Sequence, residues 1–175
     1  MNRMMIDLET LDTEPTAIVI SAGIVVFDTV ASNITFSEHF MLDMDHQLSK
    51  GRSISMSTIK WWLQQETNPI APDIACIHYT DMLGIILETW KKHNIEEVWS
   101  CGSFDVDIIN DMFDNTTYNQ PWTHYCAVKD YRAVRDWFKD LVPFENPDSK
   151  HDALADAVAQ VKHMQKLCGQ VQASL

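Results

Sequence analysis

The sequence predicts an α/β fold in which a mixed five-stranded sheet is flanked by helices. Three observations carry this. Three strand-like segments crowd into residues 1–42, the apolar period turns helical after residue 57, and two further short strand-like segments each stand between helices. Residues 4–9 (MMIDLE) form the first strand. After a polar turn holding Pro15, residues 17–27 (AIVISAGIVVF) are rich in β-branched residues and form the second, and residues 34–42 (ITFSEHFML) form the third. The connections between them are too short for crossover helices, so the three make an antiparallel meander. Residues 57–66 open on a Ser cap and read as helix. Residues 80–93 place Leu83, Ile86, Leu87 and Trp90 on one helical face. Residues 96–101 form the fourth strand, ended by Gly102, and residues 105–113 a helix carrying Ile108, Ile109 and Met112. Residues 123–127 are the expected fifth strand. Helices follow at 129–141 (Tyr131, Val134, Phe138, Leu141) and 151–168 (Leu154, Ala157, Val158, Val161, Met164). Strands separated by helices extend the meander into a mixed sheet with helices packed on it.

The chain of 175 residues shows no repeat and no Pro/Gly-rich linker, which points to one domain over residues 1–175. The longest apolar stretch, Ala17 to Phe27, is shorter than the roughly 20 residues a bilayer requires, so no membrane partner is expected. Asp7 and Glu9 stand where a signal peptide would need its apolar core, and the expected compartment is the cytoplasm. Cys76, Cys101, Cys126 and Cys168 are widely spaced, without a C-x-x-C pair, and read as reduced thiols, mostly buried. The formal charge of -12 argues against a protein that coats DNA through bulk electrostatics. It leaves room for an enzyme touching few nucleotides, because divalent cations reverse the local sign at a carboxylate cluster.

The chemistry-bearing residues fall in three places. Asp7 and Glu9 are i and i+2 on the first strand and share a face. Two carboxylates side by side on a strand otherwise made of Met5, Ile6 and Leu8 are costly unless a cation sits between them or the strand is a solvated edge. Asp105 lies in CGSFDVDII, where a strand meets a helix. It reads equally as a site carboxylate or as a helix cap, and Asp107 is a neighbour of the same type. His151 and Asp156 lie at the head of the last helix, in KHDALADA. Five residues turn about 140°, so the two do not stack on one face. They flank one site only if His151 sits at the helix entrance and Asp156 points inward. Asp152, four residues before Asp156, is a rival ligand.

The order Asp-x-Glu, Phe-Asp, His-x-x-x-x-Asp resembles the DEDDh 3′–5′ exonuclease superfamily, whose fold is RNase H-like. Within it, the sequence is most similar to the branch of the mycobacterial-type exoribonuclease and the T-even phage exonuclease A. The residues carrying that likeness are DLETLDTEPTAIVISAG, then Thr58, Trp61 and Trp62, then Lys129, Asp130, Tyr131 and Arg132. It spans about residues 4–165. The chain departs from the branch at Lys129, where Arg is usual; Lys offers a point charge without a bidentate fork.

The resemblance implies a metal-dependent exonuclease acting on single-stranded DNA or RNA 3′ ends and releasing 5′-mononucleotides, with a slight lean to DNA. It implies that Asp7, Glu9, Asp105 and Asp156 hold two divalent cations, Mg²⁺ or Mn²⁺, with His151 as general base toward the attacking water. It also implies a homodimer. Implied substrate contacts are Thr10, Leu11 as an apolar wedge, Trp61 or Trp62 as a stacking platform, Phe104 and Arg132, with Lys129 and Lys150 as further phosphate contacts. For at least one of the two tryptophans, a core position is favoured. The alternative function is a catalytically silent RNase H-like module that binds nucleic acid or protein, which would be expected to have lost one of the five site residues.

Overall fold

The computed structural model describes residues 1–30, 33–65, 75–147 and 151–173. The three early strands are β1 (Asn2–Thr10), β2 (Val19–Asp28) and β3 (Asn33–Met41). They pair antiparallel. Strands β4 (Ile95–Ser100) and β5 (Val128–Asp130) add in parallel on the other side of β1, giving the sheet order β3-β2-β1-β4-β5. The expected mixed five-stranded sheet is therefore present, with β1 at its centre.

Alternation along β1 divides the core between the two faces of the sheet. Met4, Ile6 and Leu8 pack with Met82, Leu83 and Ile86 of α3 (Tyr79–Lys92) and with Ile108, Ile109 and Met112 of α4 (Phe104–Asp114). Met5 packs on the opposite face with Val25, Phe27 and, from the long helix α6 (Ala153–Ala173), Ala157, Val161 and Met164. Asp7 and Glu9 continue the Met5 row, so they face α6. β2 is buried along nearly its whole length, as its run of apolar residues requires, whereas β3 is a largely exposed edge. No described helix is long and apolar enough to cross a membrane.

Several boundaries differ from the sequence expectation. The fifth strand lies at 128–130, not at 123–127, where His124 instead caps a short 3₁₀ turn (Tyr125–Ala127) through the Cys126 N–H. The following helix, α5 (Tyr131–Trp137), starts two residues late because Asp130 caps it, accepting from the N–H of Arg132 and Ala133. A short helix α1 (Met44–Ser49) was not expected. Its fully buried Gln47 bonds both backbone groups of Val19, at 2.9 and 2.8 Å, in place of a neighbouring strand. Helix α2 (Met56–Trp62) is capped by Ser55 rather than Ser57, and residue 66, its expected end, lies outside the described residues. No disulfide links the cysteines. Against expectation none is fully buried, and Cys76 and Cys126 are exposed.

Candidate active site

β4 pairs with β1 only as far as Met5 and Trp99. β4 ends at Ser100, one residue beyond that pair, while β1 runs on to Thr10, so the last residues of β1 have no β4 neighbour; the carboxyl ends of parallel strands are the usual ligand position in such sheets. The Leu8 N–H, which β4 no longer reaches, instead donates to Asp105 Oδ1 at 3.2 Å. Asp105 sits in the first turn of α4 and is 5% exposed, whereas Asp107 is exposed to solvent. The early end of β4 thus selects Asp105 over its neighbour.

The approach of α6 delivers the remaining groups. Gly23 on β2 is the register partner of Asp7. A Cβ there would come within 2.1 Å of the Ala153 carbonyl oxygen and 2.5 Å of the Leu154 nitrogen. Only a glycine lets the start of α6 lie directly on the sheet beside Asp7. Asp152 is spent on the helix itself, accepting from the Ala155 N–H at 2.9 Å, which leaves Asp156 for the site. Asp7, Glu9 and Asp156 each bring a carboxylate oxygen within 4.8 Å of the others.

His151 is not on the helix. It precedes α6 with φ +62, a left-handed conformation rare for residues other than glycine. Its N–H bonds the Asp156 carboxylate. Its ring is gripped edge-on by Trp61 and Trp62, with centroids 4.8 and 5.7 Å away. Helical spacing does not relate His151 to Asp156, because His151 lies in the turn that precedes α6.

Burial favours the protonated forms of these carboxyls. Burial, then the charges of Asp105, Glu9 and Asp156, hold the Asp7 carboxyl well above the usual range, opposed by a hydrogen bond from Gln160. Burial, then Asp156 and Asp105, push Glu9 up to about 8. Burial raises Asp105 to about 7, opposed by the Leu8 N–H and by Arg132. Burial also raises Asp156, eased by the His151 N–H. An all-oxygen, anionic donor set of this kind suits hard divalent cations.

Beside the carboxylates lies a cleft of about 390 Å³ lined by Glu9, Thr10, Trp61 and Phe104, by Thr58 of the Thr-x-x-Trp-Trp segment, and also by Asp12, Thr13 and Ser57, for which the sequence suggests no site role. Trp62 is core, 2% exposed, and its Nε1 donates to the Thr10 carbonyl at 2.8 Å, fastening α2 to the end of β1. Trp61 is 41% exposed and faces the cleft. Leu11, expected as an apolar wedge, is 6% exposed and packs with Ile18, Ile20 and Trp62. The Lys129 ammonium lies 3.8 Å from Glu97 on β4. Arg132 lies over Gly102 and donates to the Cys101 carbonyl at 2.9 Å. Asp130 accepts from the Gly102 N–H at 2.9 Å, so the Lys-Asp-x-Arg segment supports the loop that carries Asp105. Lys150 lies outside the described residues.

A family model described as the 3'-5' exoribonuclease Rv2179c-like domain matches residues 2–168. The chain belongs to this family. It is a 3′–5′ exonuclease. Solved structures share the fold of this exonuclease at low identity. The nuclease domain of 3'hExo, a DEDDh family member bound to rAMP, superposes with a TM-score of 0.63 at 12% identity, over 96% of this chain and 92% of that one. S. pombe Pop2p, solved in a Mg²⁺- and Mn²⁺-bound form, gives 0.66 at 8% identity, over 94% and 82%. An E. coli ExoI–ssDNA complex with zinc gives 0.66 at 15% identity, over 98% of this chain but 40% of that one. No curated protein matches in sequence.

Proposed function

We propose that this exonuclease shortens single-stranded nucleic acid from its 3′ end, with Asp7, Glu9, Asp105 and Asp156 holding two divalent cations, Mg²⁺ or Mn²⁺, and His151 acting as general base. The observation that carries this is the convergence of Asp7, Glu9 and Asp156 within 4.8 Å, with Asp105 beside them, next to an open cleft. The Mg²⁺ and Mn²⁺ in the Pop2p structure support the cofactor reading. Divalent cations in such a site acidify water and offset charge on the attacking and leaving oxygens.

The chain's own residues do the rest. The cleft takes the terminal nucleotide, with Thr10 and Phe104 on its walls and Trp61 offering a partly exposed aromatic face. His151 removes a proton from the attacking water, a task suited to a neutral imidazole near pH 7. Water oxygen bonds to phosphorus, the P–O3′ bond breaks, and the departing 3′ oxygen ends as a hydroxyl. The product is a 5′-mononucleotide. The tryptophan pair keeps the imidazole from turning away, and the Asp156–His151 N–H bond ties the base to a ligand carboxylate.

The family description weighs for RNA, and the phage-like DLET and Trp-Trp pattern leans to DNA. Incubating 5′-labelled RNA and DNA oligonucleotides with Mn²⁺ tests both the reading and the preference. A ladder shortening from the 3′ end is expected, and the faster substrate names the class. Internal cuts would point to an endonuclease, and metal binding without cleavage to a silent binder. His151→Ala is expected to cut kcat by about 10²–10⁴-fold while Mn²⁺ affinity stays within a few-fold. Full activity in that variant would remove His151 from the role of base.

A further inference from the structure

Helix α6 brings a second side chain to the carboxylates. Gln160 stands four residues after Asp156, on the same face, and its Nε2 donates to Asp7 Oδ1 at 2.7 Å. It is 6% exposed, and its Oε1 is buried with no hydrogen-bond partner among the described residues. A buried amide in that state is uncommon, because such carbonyls normally find a donor. The terminal torsion of an aspartate is broad, so an isolated Asp7 would have no fixed orientation. A neutral donor on one oxygen selects an orientation without cancelling the charge, as Lys or Arg would.

We propose that Gln160 is a positioning residue for cation binding: its Nε2 fixes which oxygen of Asp7 is turned to the cation, and its Oε1 accepts from a water of the cation's hydration shell. This rests on the reading of the carboxylates as cation ligands. Outer hydrogen-bond partners of metal ligands typically govern affinity by about 10–100-fold.

The test is a calorimetric Mn²⁺ titration of the full chain as wild type, Gln160→Met and Asp7→Asn, with melting of each in EDTA. Gln160→Met keeps the volume and removes both amide functions. The expected result is an Mn²⁺ Kd raised about tenfold or more, with the EDTA melting temperature unchanged or higher. At saturating Mn²⁺, kcat returns to within a few-fold of wild type, with KM for the oligonucleotide unchanged. If Gln160→Met does not fold, Gln160→Asn, which withdraws the amide by one carbon, carries the same expectation. An Mn²⁺ affinity within twofold of wild type, or a loss confined to melting temperature, overturns the proposal. Should wild type bind no Mn²⁺, or Asp7→Asn bind it equally well, the ligand reading itself fails and the role of Gln160 falls with it.

Discussion

Asp7→Asn is expected to lower turnover by about a thousandfold or more and, in EDTA, to raise the melting temperature. Both effects come from one carboxylate. Cation sites contribute several kcal/mol to charge stabilisation in phosphoryl chemistry, and each tenfold in rate corresponds to about 1.4 kcal/mol. Asparagine still accepts from Gln160 and fills the same space, but it removes the carboxyl that burial and the charges of Asp105, Glu9 and Asp156 hold well above the usual range. The metal-free protein should also respond to pH in a defined direction. Unfolded carboxylates titrate near 4, whereas the folded protein holds Asp105 near 7 and Glu9 near 8. Between those values the folded state binds more protons than the unfolded state, so stability falls as pH rises. The stabilisation is full below about pH 4 and lost as pH rises through the folded pKa values. Melting in EDTA should therefore drop by several degrees between pH 6 and pH 8.5, and saturating Mn²⁺ should reverse the drop. A flat profile, or a less stable Asp7→Asn, would contradict the picture of four crowded acids awaiting a cation.

Gly23→Ala is expected to lose at least about a hundredfold in kcat, although Gly23 bears no functional group. Its new Cβ would meet backbone atoms of Ala153 and Leu154 at 2.1–2.5 Å, and backbone cannot rotate aside as a side-chain tip can. The start of α6 must lift from the sheet, taking Asp156 and the His151 turn with it, and a displacement of about 1 Å commonly costs about 10²-fold. Overpacking should also cost about 1–3 kcal/mol of stability, a fall of several degrees for a chain of this size. Gly169→Ala, where a Cβ meets nothing within 4 Å, is the matched control and should be neutral or slightly stabilising. Circular dichroism, melting curves and Mn²⁺ titration of the two variants separate a lifted helix from general unfolding. Gly23→Ala with wild-type rates would show that α6 does not depend on that close approach.

Much of this was legible in the chain. Alternation of period 2 set Asp7 and Glu9 on one face of β1, the β-branched run of residues 17–27 marked the second strand, and the switch to helical period after residue 57 placed the later elements. These are local properties, and local spacing suffices for them. Long-range choices were not legible. Asp105 prevails over Asp107 because β4 ends soon after its pairing with Met5 and leaves the Leu8 N–H, 97 residues away in sequence, to Asp105; the choice of Asp156 over Asp152 is a local one, since Asp152 caps α6 through the Ala155 N–H. Leu11 is core and Trp61 faces the cleft because α2 is fastened to Thr10 through Trp62, a contact 52 residues apart in sequence. Gln160 had a sequence signal in its i+4 spacing from Asp156, but nothing local says that this face of α6 lands on Asp7. Residue types, their order and the faces they share along each element are written in the chain. Only the tertiary structure sets Asp105 rather than Asp107 beside Asp7 and Glu9, because that depends on the Leu8 N–H, a backbone donor left unpaired where a distant strand ends.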